Sequence, residues 1–251
     1  MFRFLLQPKW IALTLLAILL QPAFWELSQW QMRRLHDRQA SNFEITHNEQ
    51  APAIALEKIL DSKSNQASAD PNAQWRSVAV TGVWLPQKQV LVRKKSYESN
   101  LGFWALTPMR TESGQVVFIN RGWVAASGSA LESPKVSAPP TGPVQVLGRL
   151  RMVRDRVTAK PEDLPIGQVD DVQPLEVIPG KQVLSNGYLE LTASLPESRG
   201  SDLQPILPPE ISEGPHKSYA IQWVIFAILT LVGWGILVRK ELQELNNSGA
   251  N

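Results

Sequence analysis

The chain has no cysteine in its 251 residues, which excludes disulfides, thiolate metal sites, cysteine nucleophiles and thiol redox chemistry together. Histidine is nearly absent too. His36, His47 and His216 are the full supply, too few for a three-histidine metal site with a base left over, so no metal centre is expected. Charge of one sign is missing as well: 25 Lys and Arg against 23 Asp and Glu leave a net charge of +2. That lacks the concentrated basic surface of a nucleic-acid binder, and no nucleic-acid partner is expected. No GxSxG elbow, no histidine-rich metal spacing, no glycine-rich loop after a strand and no internal repeat occurs. These absences remove the usual hydrolase and phosphate-binding arrangements, and the chain is not expected to be an enzyme.

What is present is grease at both ends. Between Lys217 and Arg239 lie 21 residues without a charge, SYAIQWVIFAILTLVGWGILV, about 31 Å as a helix and close to the hydrocarbon thickness of a bilayer. Trp223 and Trp234 lie near its ends, and Arg239-Lys240 close it with head-group charges. The first end is shorter: Trp10 to Trp25 gives 16 uncharged residues, about 24 Å. Phe4, Leu5 and Leu6 extend it if Lys9 snorkels toward the surface. A cleaved signal peptide is the rival reading, but the following QPAFWELSQW offers no tidy pair of small residues. The expectation is two transmembrane helices, 10–25 and 218–238, with both termini on one side and residues 26–217 on the other. Arg3, Lys9, Arg239 and Lys240 against Arg33, Arg34, Arg38, Arg199 and Lys217 do not decide which side.

The middle reads as strands. Trp75–Leu85 mixes β-branched and aromatic residues, and Gln89–Arg93 follows at hairpin distance after Pro86. Phe103–Met109 and Gln115–Val124 form a second pair joined through Glu112-Ser113-Gly114. Val144–Val153 and Tyr188–Thr192 complete the set, the last announced by Asn186-Gly187. Short strands with regular turns predict a mainly antiparallel sheet or small barrel. With the two spans, the fold class is membrane α+β. Ala53–Leu60 reads as a short helix and Asp61–Asn72 as a polar loop. Ser133–Pro143, with four prolines, and Pro196–Pro215, with five, read as linkers.

Three places have chemistry to offer. His216 sits two residues before the uncharged run, where an imidazole meets lipid and water at once. It is either an interfacial polar residue without a ligand or a haem-iron ligand. Arg149, Arg151, Arg154 and Arg156 fall within eight residues, and Arg149 and Arg151 share a face if they lie on one strand. That face suits lipid phosphates, haem propionates, an acidic partner, or solvent alone. Arg121-Gly122-Trp123 ends a strand and is either a packed sheet edge or a recognition surface. His36 and His47 are expected to be polar surface residues.

Three blocks in order resemble the surfeit-locus family of cytochrome oxidase assembly factors. The first is Trp30-Gln31 with Arg34, in SQWQMRRL. The second runs from Gly102-Phe103 through Leu106-Thr107-Pro108 to Val117-Phe118-Ile119-Asn120-Arg121-Gly122-Trp123-Val124, the family's "tP…vNRGWv" stretch. The third is His216-Lys-Ser-Tyr219-Ala220-Ile-Gln222-Trp223, matching "HxxYAxQW". Trp75, Val80, Gly82 and Trp84 fit the family's first strand. Leu27-Ser28-Gln29 departs from it, since many members have a Leu-Gly pair before the tryptophan.

The resemblance implies a bacterial inner-membrane, multi-pass protein with cytoplasmic termini (1–9 and 239–251) and a periplasmic domain. It implies a non-catalytic role in maturing haem–copper terminal oxidases, with haem a as cofactor and the large oxidase subunit, other assembly factors and the lipid bilayer as partners. His216 is the matching haem-iron position. Tyr219 and Trp223, three and seven residues further on, are expected to share its helix face. Arg121 and Trp123 are the expected partner or propionate contacts. The competing expectation is a haem-free scaffold that stabilises an oxidase intermediate.

Overall fold

The computed structural model describes residues 3–60, 67–127, 132–153, 167–172, 177–180 and 182–248. They form two units, one of residues 1–43 and 211–251 and one of residues 44–210.

The first unit is built from two helices. Helix α1 spans Pro8–Gln50, its last turns from Glu44 belonging to the second unit. Helix α2 spans His216–Ser248. Both are long and apolar enough to cross a membrane. α1 continues far beyond the 10–25 run because Glu26–Gln50 is rich in Leu, Gln, Arg and Glu and free of Gly and Pro. It stops just short of Pro52, whose ring disfavours helical backbone before it.

On α1 the residues that turn inward are Thr14, Ala17, Gln21, Phe24, Ser28, Gln31 and Leu35, spaced alternately three and four apart. That is the seam spacing of a two-helix coiled coil. α2 answers in the opposite direction. Trp234 donates to Thr14 Oγ1 (3.0 Å), Trp223 stacks on Phe24 with ring centroids 6.0 Å apart, and Ser28 Oγ donates to the Ala220 carbonyl (3.1 Å). The outer faces are apolar and exposed, as at Leu19, Trp25, Ile228 and Ile236.

The second unit is a closed sheet. Its strands are β1 (Ile54–Ala55), β2 (Ser77–Trp84), β3 (Val90–Tyr97), β4 (Asn100–Thr111), β5 (Val116–Ala125), β6 (Pro143–Met152), β7 (Gln168–Val169) and β8 (Gly187–Leu195). The order β2-β6-β8-β5-β4 returns to β2 through Gly82–Trp84 against Met109–Thr111, which closes a five-stranded ring. β1, β3 and β7 extend its edges. Pairing is mostly antiparallel, with parallel exceptions at β1–β2, β3–β7 and β5–β8. Alternate residues face inward, so Val78, Val80, Val117, Ile119, Val144 and Val146 meet in one core. Pro108 sits where β4 changes neighbour from β3 to β2, and its missing N–H costs no ladder bond there while its carbonyl accepts from Leu85 (2.8 Å).

The six longer strands fall where the sequence pattern puts them, and Glu112-Ser113-Gly114 is the β4–β5 turn. Three expectations are corrected. Gln89–Arg93 is not the hairpin partner of Trp75–Leu85, because a 3₁₀ turn at Pro86–Lys88 sends β3 to β4 instead. Ala53–Leu60 is the two-residue β1 followed by one 3₁₀ turn, Leu56–Lys58, with no α-helix. The proline-rich segments are not free linkers, since Pro139, Ser198 and Leu203 are buried. Of the Asp61–Asn72 loop, residues 61–66 lie outside the described residues.

Candidate functional site

His216 is the first residue of α2. Gly214, at φ +66°, makes the turn that leads in, and Pro215 supplies a fixed φ for the helix start. The Pro215 carbonyl accepts from Tyr219 N (3.1 Å). The imidazole is half-buried. Its Nδ1 lies 2.9 Å from Gln31 Oε1 across the seam, and Gln31 is itself buried. A carboxamide oxygen only accepts, so in the neutral imidazole this contact assigns the proton to Nδ1 and the lone pair to Nε2. Among the described residues no hydrogen bond reaches Nε2. A Cβ placed on Gly214 would stand 3.5 Å from both Nε2 and Cδ2, so glycine there leaves the ligating edge of the ring uncovered.

The aromatics expected beside His216 separate. Trp223 turns into the seam with Ala220, stacked on Phe24 and edge-on to Phe226 at 5.7 Å. Tyr219 lies outside the seam, exposed. Below them an apolar groove of about 340 Å³ is lined by Gln21, Pro22, Phe24, Trp25, Val224 and Ala227. The arrangement therefore offers one nitrogen donor above an apolar wall. His36 lies in α1 and is exposed; His47 is in the last turn of that helix.

Arg121 and Trp123 belong to the second unit and are occupied within it. Arg121 is 1% exposed. Its Nε donates to the Ser198 carbonyl (2.6 Å), Nη1 to Gln89 Oε1 (3.1 Å), and Nη2 to the carbonyls of Ser137 (2.8 Å) and Arg199 (3.0 Å). Burial pulls its pKa down to about 10, and Asp202 opposes that fall. Trp123 donates from Nε1 to the Lys95 carbonyl (2.9 Å) and stacks on Tyr97. A Cβ on Gly122 would meet the Gln204 carbonyl oxygen at 2.5 Å, so glycine is needed where residues 203–204 pass over β5. Of the two readings open for this stretch, packing is the one the geometry supports.

The arginine cluster is likewise paired. Arg149 and Arg151 share a face and both reach Glu190, at 3.2 and 3.3 Å, while Arg149 Nε also meets Glu49 at 2.7 Å. Burial pushes Glu190 upward, and the two guanidiniums oppose that shift. Arg151 lies over the Trp75 ring at 3.7 Å. Arg154 and Arg156 lie outside the described residues.

The profile of the SURF1 family matches residues 18–228. This chain belongs to the SURF1 family. Among its relatives are uncharacterized SURF1-like proteins of Mycobacterium tuberculosis and Mycobacterium bovis. Each is 32% identical over 246 residues, covering 96% of this chain and 87% of the relative. A SURF1-like protein of Rickettsia bellii is 24% identical over 222 residues, covering 85% and 86% of the two chains.

Within this SURF1-family chain, two of the three motif blocks meet: Gln31 of the first holds His216 of the third. The middle block is packed within the closed sheet. Sequence reasoning did not single out Gln31 as a partner of His216. The signal was there in the three-and-four spacing that puts Gln31 on one stripe with Phe24 and Ser28.

Proposed function

We propose that this chain is a membrane-anchored, non-catalytic assembly factor for a haem–copper terminal oxidase, and that it holds haem a on His216 before insertion into the large oxidase subunit. Family membership supports the assembly role. The apolar outer faces of α1 and α2 support a bilayer setting, since Leu229 and Val232 would otherwise stand exposed to water with the rest. Two spans put both termini on one side. In this reading that side is the cytoplasm of a bacterial cell, and the closed sheet lies outside the inner membrane.

One observation carries the haem reading: His216 Nδ1 is engaged by Gln31, which leaves Nε2 as a lone-pair donor with no side chain on Gly214 to cover it. These residues fit an axial imidazole ligand. Haem here is cargo. A single neutral nitrogen gives a bond that can be exchanged for a client's ligand, which a closed two-histidine site would resist. The apolar residues along the helix pair shield a poorly soluble macrocycle, and Phe24 and Val224 contribute to that wall. Arg121 and Trp123 are engaged by contacts within the second unit.

The test is a strain lacking the gene, complemented with wild-type protein or with His216→Ala. Oxidase-bound haem a in the membranes is expected to fall in the deletion strain, to recover with wild-type protein, and to stay low with the variant at equal protein level. Full recovery with His216→Ala would replace this reading by a haem-free scaffold. Normal haem a content without the gene would end the assembly role.

A further inference from the structure

We infer that Gln31 is the positioning residue for His216: it fixes the imidazole tautomer that makes Nε2 the ligating nitrogen. The inference rests on the haem reading above, but its first half concerns the protein alone. Gln31 lies 185 residues from His216, on the other helix, and its Oε1 approaches Nδ1 at 2.9 Å. The residue is 9% exposed, so water does not compete freely for the bond. Its place is locked by the seam. Ser28, one turn earlier, donates to the Ala220 carbonyl, one turn past His216, and Leu35, one turn later, is buried. A histidine left to itself favours the proton on Nε2, the tautomer that cannot bind iron through that atom. An oxygen acceptor fixed at Nδ1 reverses this preference and orients the ring, as acceptors behind metal-bound histidines do.

A carboxamide is a particular choice for this task. A carboxylate in its place would pull harder on the Nδ1 proton and make the imidazole a stronger donor. The neutral amide fixes geometry and tautomer while leaving donor strength moderate, which suits a carrier that must release its load.

The experiment uses the full chain in detergent, as wild type, Gln31→Leu, Gln31→Glu and His216→Ala. Ring ¹⁵N spectra of haem-free protein report the tautomer of His216. The proton is expected on Nδ1 in wild type and Gln31→Glu, and on Nε2 in a substantial fraction of Gln31→Leu. Titration with ferric haem a should then show Kd about 10- to 100-fold weaker for Gln31→Leu. Binding should persist in Gln31→Glu, with a more negative midpoint potential. A glutamine that merely braced the helices would leave potential and tautomer unmoved. The inference is overturned if wild-type His216 carries its proton on Nε2, or if Gln31→Leu matches wild type in Kd and potential. Protein with the expected tautomer that takes up no haem a would sink the cargo reading and leave the tautomer assignment standing.

Discussion

Arg121 takes the place of a mortar between segments that share no regular structure. Four donor bonds from one guanidinium hold the carbonyls of Ser137, Ser198 and Arg199 and the side chain of Gln89, so the proline-rich segments on either side of β6 and β8 are tied to β5. Asp202 reinforces the tie by accepting from Ser137 N at 2.7 Å. Burial alone would raise the Asp202 pKa, but the hydrogen bonds from Ser137 and the field of Arg121 hold it below the usual value. Replacing Arg121 by Ala strands several buried acceptors, and the expected loss is about 3–5 kcal/mol in urea unfolding of the full protein. Arg121→Lys should recover only a small part, because one ammonium cannot reach acceptors arranged around a planar fork. Unchanged stability in Arg121→Ala would show that the segments hold without it. None of this was legible beforehand. Carbonyl acceptors have no side-chain signature, so Arg121-Gly122-Trp123 looked as much like a recognition surface as a packed edge.

Elements were legible to the degree that their residues alternate. The β-branched runs of β2 and β6 declare themselves because one face of each is buried, while β5, buried on both faces, shows as a short apolar run. The two-residue β1 and β7 carry no pattern long enough to read, and the β2–β4 closure depends on pairing between distant strands. The polar half of α1 was missed for the opposite reason: hydropathy marks where a helix is greasy, and Glu26–Gln50 is helical without being so. The seam, by contrast, has a strict register that can be tested. Thr14 with Trp234, Phe24 with Trp223, and Ser28 with Ala220 are rungs along it. Because the chain has no cysteine, paired substitutions report without background. Ser28→Cys with Ala220→Cys should cross-link on mild oxidation to at least several times the yield of Ser28→Cys with Val224→Cys, one turn away. Equal yields, read as mobility shifts on a gel, would mean the helices do not hold this register.

At the scale of the molecule, sequence and structure agree on a division of labour between a helix pair and a closed sheet. The helix pair brings residues from opposite ends of the chain to one imidazole. The closed sheet turns Arg121 and Trp123 on itself, and Arg149 and Arg151 both pair with Glu190. The proposed ligand is therefore the half-buried His216 of the helix pair. The two long apolar helices and the sheet class could both be read from the sequence, since each depends on local pattern. The spacing of α1 puts Gln31 on the seam stripe, but its pairing with His216 depends on how two distant helices meet. The most direct measurement is an optical spectrum of detergent-purified protein from cells that make haem a, beside His216→Ala. The account predicts a Soret band in wild type that is lost in the variant, with both proteins equally folded by circular dichroism. A band of equal strength in His216→Ala would contradict it and move the ligand to His36 or His47.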